Sequence, residues 1–429
     1  NLEGKMYWIG RFALFTVCML WLPVQAQQTV SDSLSELSRR LDVLAQEIER
    51  LNLGEAAATA DAGQYGLGPA ASKIYRTARG VSIGGYGEMV YNRYAGEKEN
   101  GTTSGKVDQF DMLRAIIYVG YKYNDNWLLN SEFEFEHAST GVAGSVSAEF
   151  VHVEYLRRPE FNLRFGLLLM PMGLVNELHE PTVFMGVGRP DIERVIIPST
   201  WRENGIGIFG EVGAVSYRTY LVNGMRGSKF SASGLRGGRQ KGSKAQANHF
   251  GWTGRIDVTP RAGLVIGGSA YAGYSGQDLT LGTKDLDIPT AIFEGHMDLR
   301  HRGLWFSILG VRGHIGEALE LNQKLGLTGN QSVGDVMQGF YAQTGYDVLA
   351  RTSFNEVTLM PYIRYETYNT QSSVPIGFSR NPSKDVKSIT AGLSFYPESR
   401  IVFKADFKRI SNEAKTGINQ VNGALGYIF

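Results

Sequence analysis

The 429-residue sequence holds a single cysteine, Cys18, so no disulfide framework can stabilise it. Proline is sparse, 13 residues against 53 glycines, which leaves long extended stretches free of breakers. Beyond residue 26 no apolar run approaches the ~20 residues a helix needs to cross a bilayer, and that excludes helical membrane spanning. Neither sign of charge is in excess, with 43 Lys and Arg against 42 Asp and Glu. A nucleic-acid binder would carry a basic surplus, so no nucleic-acid partner is expected. The seven histidines stand in no nucleophile–base–orienter context, no spacing suits metal ligation, and Gly84-Gly85 belongs to a strand rather than a phosphate-cradling loop. No enzymatic role, metal or cofactor is expected on these grounds.

What is present begins with a targeting signal. Lys5 and Arg11 flank Met6, Phe12 to Val24 is almost wholly apolar, and Val24-Gln25-Ala26 offers a small-residue cleavage site. That order of charged, apolar and small residues marks 1–26 as a secretory signal peptide, and Cys18 lies within it. Val30, Leu34, Leu37, Leu41, Leu44, Ile48 and Leu51 then alternate spacings of four and three, the seam of a coiled coil. Three heptads are marginal for a lone helix, so residues 27–53 predict a periplasmic helix that self-associates or docks. Residues 54–77, rich in Ala and Gly without periodicity, read as a linker.

From residue 78 to 429 one unit repeats: an alternating segment of roughly 9–15 residues and then a break, the breaks alternating short and long. Sixteen such strands are expected, at 81–94, 107–123, 127–139, 147–158, 163–172, 204–211, 215–223, 251–259, 263–275, 289–301, 304–315, 339–350, 356–369, 386–396, 401–411 and 418–429. Trp127, Leu129, Phe133 and Phe135 share one strand face while Asn130, Glu132, Glu134 and Glu136 share the other. Ala291, Phe293, Met297 and Leu299 oppose Glu294, His296, Asp298 and Arg300, and Phe403 and Phe407 oppose Lys404, Asp406 and Lys408. Charges in a row cannot sit in a dry core; they can sit in water, either outside a soluble sandwich or inside a pore, and the alternation of short and long breaks favours the pore. Tyr94, Tyr121, Trp127, Tyr155, Trp305, Tyr365, Phe395 and Tyr427 are expected in interfacial girdles. The final segment, alternating up to Phe429, resembles the closing strand of a bacterial outer-membrane barrel. The fold class expected is all-β, a transmembrane antiparallel β-barrel of about 16 strands behind a short periplasmic coiled-coil helix. A barrel of that size leaves an aqueous channel.

One break stands apart. After Met170-Pro171-Met172-Gly173 about thirty residues of mixed apolar and charged character precede Gly205, and a long loop of that kind is usually functional. The stretch from Pro171-Met172-Gly173 through Gly188-Arg189-Pro190, Glu193-Arg194 and Pro198-Ser199-Thr200-Trp201-Arg202-Glu203-Asn204-Gly205, with Gly85-Tyr86-Gly87-Glu88 at the barrel start, resembles the phosphate-selective porin family, the O and P porins, over most of residues 78–429. The resemblance implies a homotrimeric porin in the bacterial outer membrane, with inward-folded loops and a channel lined by arginines and lysines. It implies passive diffusion of small hydrophilic solutes or anions, and as partners the outer-membrane lipid, lipopolysaccharide and the barrel-assembly machinery.

Face alternation places Arg114, Arg164, Arg218, Arg255, Arg300, Arg364, Lys404 and Lys408 toward the lumen, and the insert adds Arg189, Arg194 and Arg202. Glu132 and Glu134 share that lumen, with Glu177 and Glu180 in the insert. Guanidinium groups can replace the water an anion sheds, but opposed acidic and basic patches suit a general porin equally, and both remain open. A further reading makes the barrel an anchor whose N-terminal coiled coil binds a periplasmic or cell-wall partner. Arg226, Lys229, Arg236, Arg239, Lys241 and Lys244 form a basic loop, expected to be solvated and mobile.

Overall fold

In the computed structural model the described residues are 63–141, 144–354 and 356–429. The expected signal (1–26) and heptad helix (27–53) lie outside them. The wall begins with β1 (Gly80–Tyr94), β2 (Gln109–Lys122), β3 (Trp127–Glu136), β4 (Ser145–Arg158), β5 (Phe161–Leu169) and β6 (Arg202–Val212). It continues with β7 (Val215–Asn223), β8 (Phe250–Arg261), β9 (Leu264–Tyr274), β10 (Pro289–His301) and β11 (Leu304–Ile315). It ends with β12 (Val336–Tyr346), β13 (Thr358–Ser373), β14 (Asp385–Glu398), β15 (Ile401–Asn412) and β16 (Gln420–Ile428). Consecutive strands pair antiparallel throughout, and β16 returns to β1 to close the barrel. At the seam Phe429 N donates to Gly85 O at 2.9 Å, and Gly85 N donates to Phe429 O at 3.1 Å. Closure leaves no unpaired edge. All sixteen expected strands are present, each end within four residues of its expected position.

The polarity of the wall is the reverse of a water-soluble protein. Phe133, Phe135, Phe293, Phe403 and Phe407 stand exposed on the outside, while Asn130, Glu132, Glu134, Glu294, Lys404 and Asp406 are enclosed. An outward apolar band over a polar interior suits hydrocarbon outside. Trp127 and Tyr155 pack together on the outside near the short-turn end, ring centroids 4.8 Å apart, as a girdle would have them. Trp305 corrects the girdle assignment: it is 7% exposed and points inward, donating its Nε1–H to Asp298 Oδ1 at 2.7 Å.

The interior is not an open tube. Residues 170–201, between β5 and β6, fold inward and include helix α2 (Asp191–Val195). The segment read as linker (54–77) is, over its described part, packed instead of free: helix α1 (Lys73–Arg76) lies there, and Leu67, Ala70 and Ala71 are buried with Tyr86, Ile116, Tyr118, Phe150 and Ile428. The small Ala pair lets the backbone approach the wall, which a composition-based reading takes for flexibility. The basic loop also differs from expectation. Met225, Phe230 and Leu235 are buried, so the apolar residues interleaved with its charges draw it into the barrel mouth. The 316–335 loop, carrying helix α3 (Ala318–Lys324), does the same through Leu321 and Val333.

Candidate functional site

The lumen divides into two chemically different halves. On the side of β7 to β12, inward-facing Tyr220, Val222, Tyr271, Ile292, Leu309, Val311, Met337 and Tyr341 meet Ile192, Ile196, Ile197 and Trp201 of the insert in one buried apolar cluster. Those inward apolar residues were missed in the sequence. The available signal was β11, whose run Leu304-Trp305-Phe306-Ser307-Ile308-Leu309-Gly310-Val311 hardly alternates, as in a strand buried on both faces. The side of β13 to β16 and β1 to β3 carries buried charge, with Glu88, Glu132, Glu134, Arg364, Glu366, Lys404 and Asp406, beside the apolar patch of Tyr86, Ile116, Tyr118 and Ile428 that packs on the N-terminal segment.

Across the polar side the insert is tied to the opposite wall through its backbone. Arg364 Nη2 donates to Met185 O at 2.6 Å and its Nη1 to Gly188 O at 3.0 Å. Lys404 Nζ donates to Phe184 O at 2.8 Å, and Val187 N donates to Asp406 Oδ2 at 2.8 Å. Asp191 N donates to Glu366 Oε2 at 2.6 Å, while Lys408 Nζ lies 2.5 Å from Asp191 Oδ2. Apart from the Lys408–Asp191 ion pair, each tether satisfies a loop backbone group that would otherwise be buried without a partner.

Most of the other expected pore-lining charges are also committed. Arg164 pairs with Glu154 at 2.7 Å, Arg202 with Glu149 at 2.7 Å, and Arg218 with Glu177 at 3.1 Å and Asp257 at 3.0 Å. Arg255 pairs with Asp257 at 2.8 Å and donates to the carbonyl of Gly173. Arg114 lies 3.3 Å from Glu88 and 3.6 Å from Glu134, and His179 Nε2 lies 3.0 Å from Glu132 Oε1. Arg194, largely exposed, pairs with Asp191 at 3.2 Å. Arg300 pairs with Asp298 and stacks 3.8 Å from the Trp305 ring. The structure thus brings these residues to the lumen but gives most of them a partner in the protein.

Arg189 and Lys404 are different. Among the described residues neither has a carboxylate within 4 Å; Arg189 Nη2 donates only to His179 O, at 3.2 Å. Burial and the neighbouring Arg114 hold the Arg189 guanidinium below its ordinary pKa. Both cations face the Phe184 ring, Lys404 Nζ at 3.9 Å and Arg189 at 6.0 Å from its centroid. Nearer the long-loop mouth Arg236 and Arg239 also lack a carboxylate partner among the described residues and donate to carbonyls of 194–200. Burial pushes them down, to about 9 and about 10.

Two cavities flank this point. One, of about 410 Å³, lies toward the long-loop mouth and is lined by Arg114, Arg189, Asp191, Glu136 and Lys408 among others. The other, of about 730 Å³, lies toward the short-turn mouth against Tyr65, Leu67, Arg218, Asp298 and Ser307. The N-terminal segment therefore forms part of the lower vestibule.

Glu180 holds that segment in place. Its Oε1 accepts from Ala70 N at 3.0 Å and Ala71 N at 3.2 Å, and burial pushes its carboxyl up to about 7 from 4.5. A carboxyl whose pKa is higher when docked binds its proton more tightly in the docked state. Docking through Glu180 is then most favourable below about 4.5 and weakens as pH rises through about 7. Tryptic cleavage at Lys73 in folded protein is expected to accelerate over that range relative to Glu180→Gln at the same pH. A constant ratio of the two rates would show that Glu180 does not titrate there.

No family model matches the chain. An uncharacterized protein of Aquifex aeolicus (strain VF5) is 37% identical over 377 residues, covering 85% of this chain and 83% of the relative. Among solved structures, OmpF of Salmonella typhi in complex with daunomycin aligns with TM-score 0.53 at 12% identity, covering 83% of this chain and 99% of that one. An anion-selective porin from Comamonas acidovorans aligns at 0.51 and 10%, covering 81% and 99%. A loop L8 deletion mutant of OmpT, an outer membrane protein of Vibrio cholerae, aligns at 0.51 and 11%, covering 82% and 100%. At such identities these alignments establish the shared barrel fold.

Proposed function

The chain belongs to one family with the Aquifex aeolicus protein; from its barrel and lumen we propose that it forms a narrow water-filled channel in the bacterial outer membrane for passive diffusion of small hydrophilic solutes, with anions favoured at its narrowest point. The supporting observation is the pair Arg189 and Lys404, which face the ring between the two cavities with no carboxylate of the described residues within 4 Å. An anion passing there sheds water, and cations held by carbonyls instead of carboxylates keep charge and remaining N–H donors to replace part of that hydration. The neighbouring acidic groups Glu366 and Asp406 accept hydrogen bonds from the insert's backbone, which leaves their charge less available to a solute. The apolar outer band supports the membrane location, and the fold shared with outer-membrane proteins is consistent with it.

The test is the reversal potential of purified protein in planar bilayers under a salt gradient, with chloride and then phosphate as the anion. Anion preference is expected for the native chain. Arg189→Gln with Lys404→Met is expected to move the reversal potential toward the cation side by removing two uncompensated charges from the constriction. An unshifted potential would remove these residues from selectivity. If folded protein formed no channels at all, the anchor reading would replace the channel, with the heptad segment 27–53 as its binding element.

A further inference from the structure

We infer that Phe184 is the side chain that sets the channel's size limit, an inference that rests on the channel reading above. Phe184 lines both the cavity toward the long-loop mouth and the cavity toward the short-turn mouth, and among the described residues no other lines the two. The ring is a partition between two volumes of about 410 and 730 Å³.

The partition is held, not draped. The carbonyl of Phe184 accepts from Lys404 Nζ at 2.8 Å, and the same ammonium sits 3.9 Å from the ring centroid. One cation therefore fixes both the backbone and the face of the ring, the latter through its quadrupole. The next residues are tied as well. Met185 O accepts from Arg364, Val187 N donates to Asp406, and Gly188 O accepts from Arg364. Gly186 takes φ +80°, and a Cβ there would lie 2.4 Å from Tyr362 Oη. Only glycine allows this close approach of the insert to β13. A ring on such a backbone cannot swing away with its loop. Solutes must pass beside it, and its size decides which can. An apolar ring also offers no hydrogen bonds to a solute losing its water, so it raises the barrier for large polar solutes more than for small ones.

Three variants test this in bilayers and in liposome swelling with neutral sugars of graded size. Phe184→Ala is expected to raise single-channel conductance severalfold and to admit larger sugars, while Phe184→Trp lowers both. Because removal of a buried ring could loosen the whole insert, Phe184→Cys in a Cys18→Ser background supplies a readout at the residue itself. Small thiol reagents are expected to react from either side of the membrane, and progressively larger adducts to reduce conductance progressively. Reaction from one side only, no reaction, or reaction without loss of conductance would each overturn the inference. So would unchanged conductance and sugar cut-off in Phe184→Ala and Phe184→Trp. Absence of channels in native protein would instead defeat the channel reading itself, so the two failures are distinguishable.

Discussion

Arg364→Ala is expected to destabilise the barrel by about 3–5 kcal/mol, the range for removing one partner of a buried ion pair, and to make its conductance noisy. Arg364 is 2% exposed and its guanidinium does three things at once. It donates to Met185 O and Gly188 O of the insert, to Gln343 Oε1 at 2.9 Å on β12, and to Glu366 Oε1 at 3.4 Å on its own strand. Without it Glu366 remains buried with no cation on its Oε1 side, and the insert loses two of its backbone tethers. Stability would be read from the temperature at which the folded band converts to the unfolded one in detergent gels, and tethering from open-channel noise. Arg364→Lys keeps the charge but not the planar fork, so it should recover part of the stability and little of the quiet open state. Arg364→Met combined with Glu366→Met removes both charges and should be less damaging to stability than Arg364→Ala. If Arg364→Ala melts within a degree or two of the native chain, the insert is held by its apolar cluster and the tethers are secondary.

That alternative is serious because the insert has two different attachments. Ile192, Ile196, Ile197 and Trp201 join the apolar cluster on the β7 to β12 side, and residues 184–191 are tied by charges on the β13 to β15 side. Apolar burial holds one edge of the loop without direction, and hydrogen bonds orient the other. Space remains where these contacts leave gaps: toward the long-loop mouth beside Asp191, Arg364 and Lys408, and toward the short-turn mouth beside Arg218, Asp298 and Ser307 on the β7 to β12 side.

The strands were legible because face alternation over a closed wall is enforced twice, by lipid outside and by polar contacts inside. Glu132 against Phe133 or Lys404 against Phe403 carry their orientation in their own chemistry. What those charges touch was not legible. Face alternation sends Arg364 and Lys404 inward but cannot say whether water or a loop carbonyl receives them, since that depends on the path of residues separated by about 180 to 220 positions. The same limit hid the lumen-filling role of 63–77. Its alanines and glycines lack a period because it packs as an irregular segment, with Ala70 and Ala71 chosen for close approach. The basic loop was misleading for a related reason: Arg236 and Arg239 cap the carbonyls of 194–200, a use of positive charge that composition cannot separate from solvation.

The second large effect is expected at Arg164, which joins the N-terminal segment to the wall. It is buried, pairs with Glu154 at 2.7 Å and donates to Tyr220 Oη at 2.8 Å. It also reaches Tyr65 O at 3.4 Å and Tyr75 Oη at 3.3 Å, and its guanidinium lies 4.5 Å from the Phe209 ring centroid. Tyr75 Oη donates in turn to Glu154 Oε1 at 2.9 Å. Arg164→Ala takes the guanidinium from the buried Glu154 carboxylate, leaving it to Tyr75 and to His152 Nε2 at 3.0 Å, and weakens the polar hold on residues 65–75, for an expected loss of about 3–5 kcal/mol. Tyr75→Phe removes only a hydroxyl and should cost about 1 kcal/mol. The two should differ in kind as well. In Arg164→Ala the segment leaves the lower vestibule, Lys73 becomes accessible to trypsin in the folded barrel, and the lumen widens toward the short-turn mouth. In Tyr75→Phe the segment stays docked, because Leu67, Ala70 and Ala71 still bury against β1, β2 and β4 and Glu180 still accepts from Ala70 and Ala71. Tryptic mapping of folded protein separates these outcomes. If Lys73 stayed protected in Arg164→Ala, the apolar and Glu180 contacts alone would suffice to hold the segment, and the Arg164–Glu154 pair would serve the wall of β4 and β5.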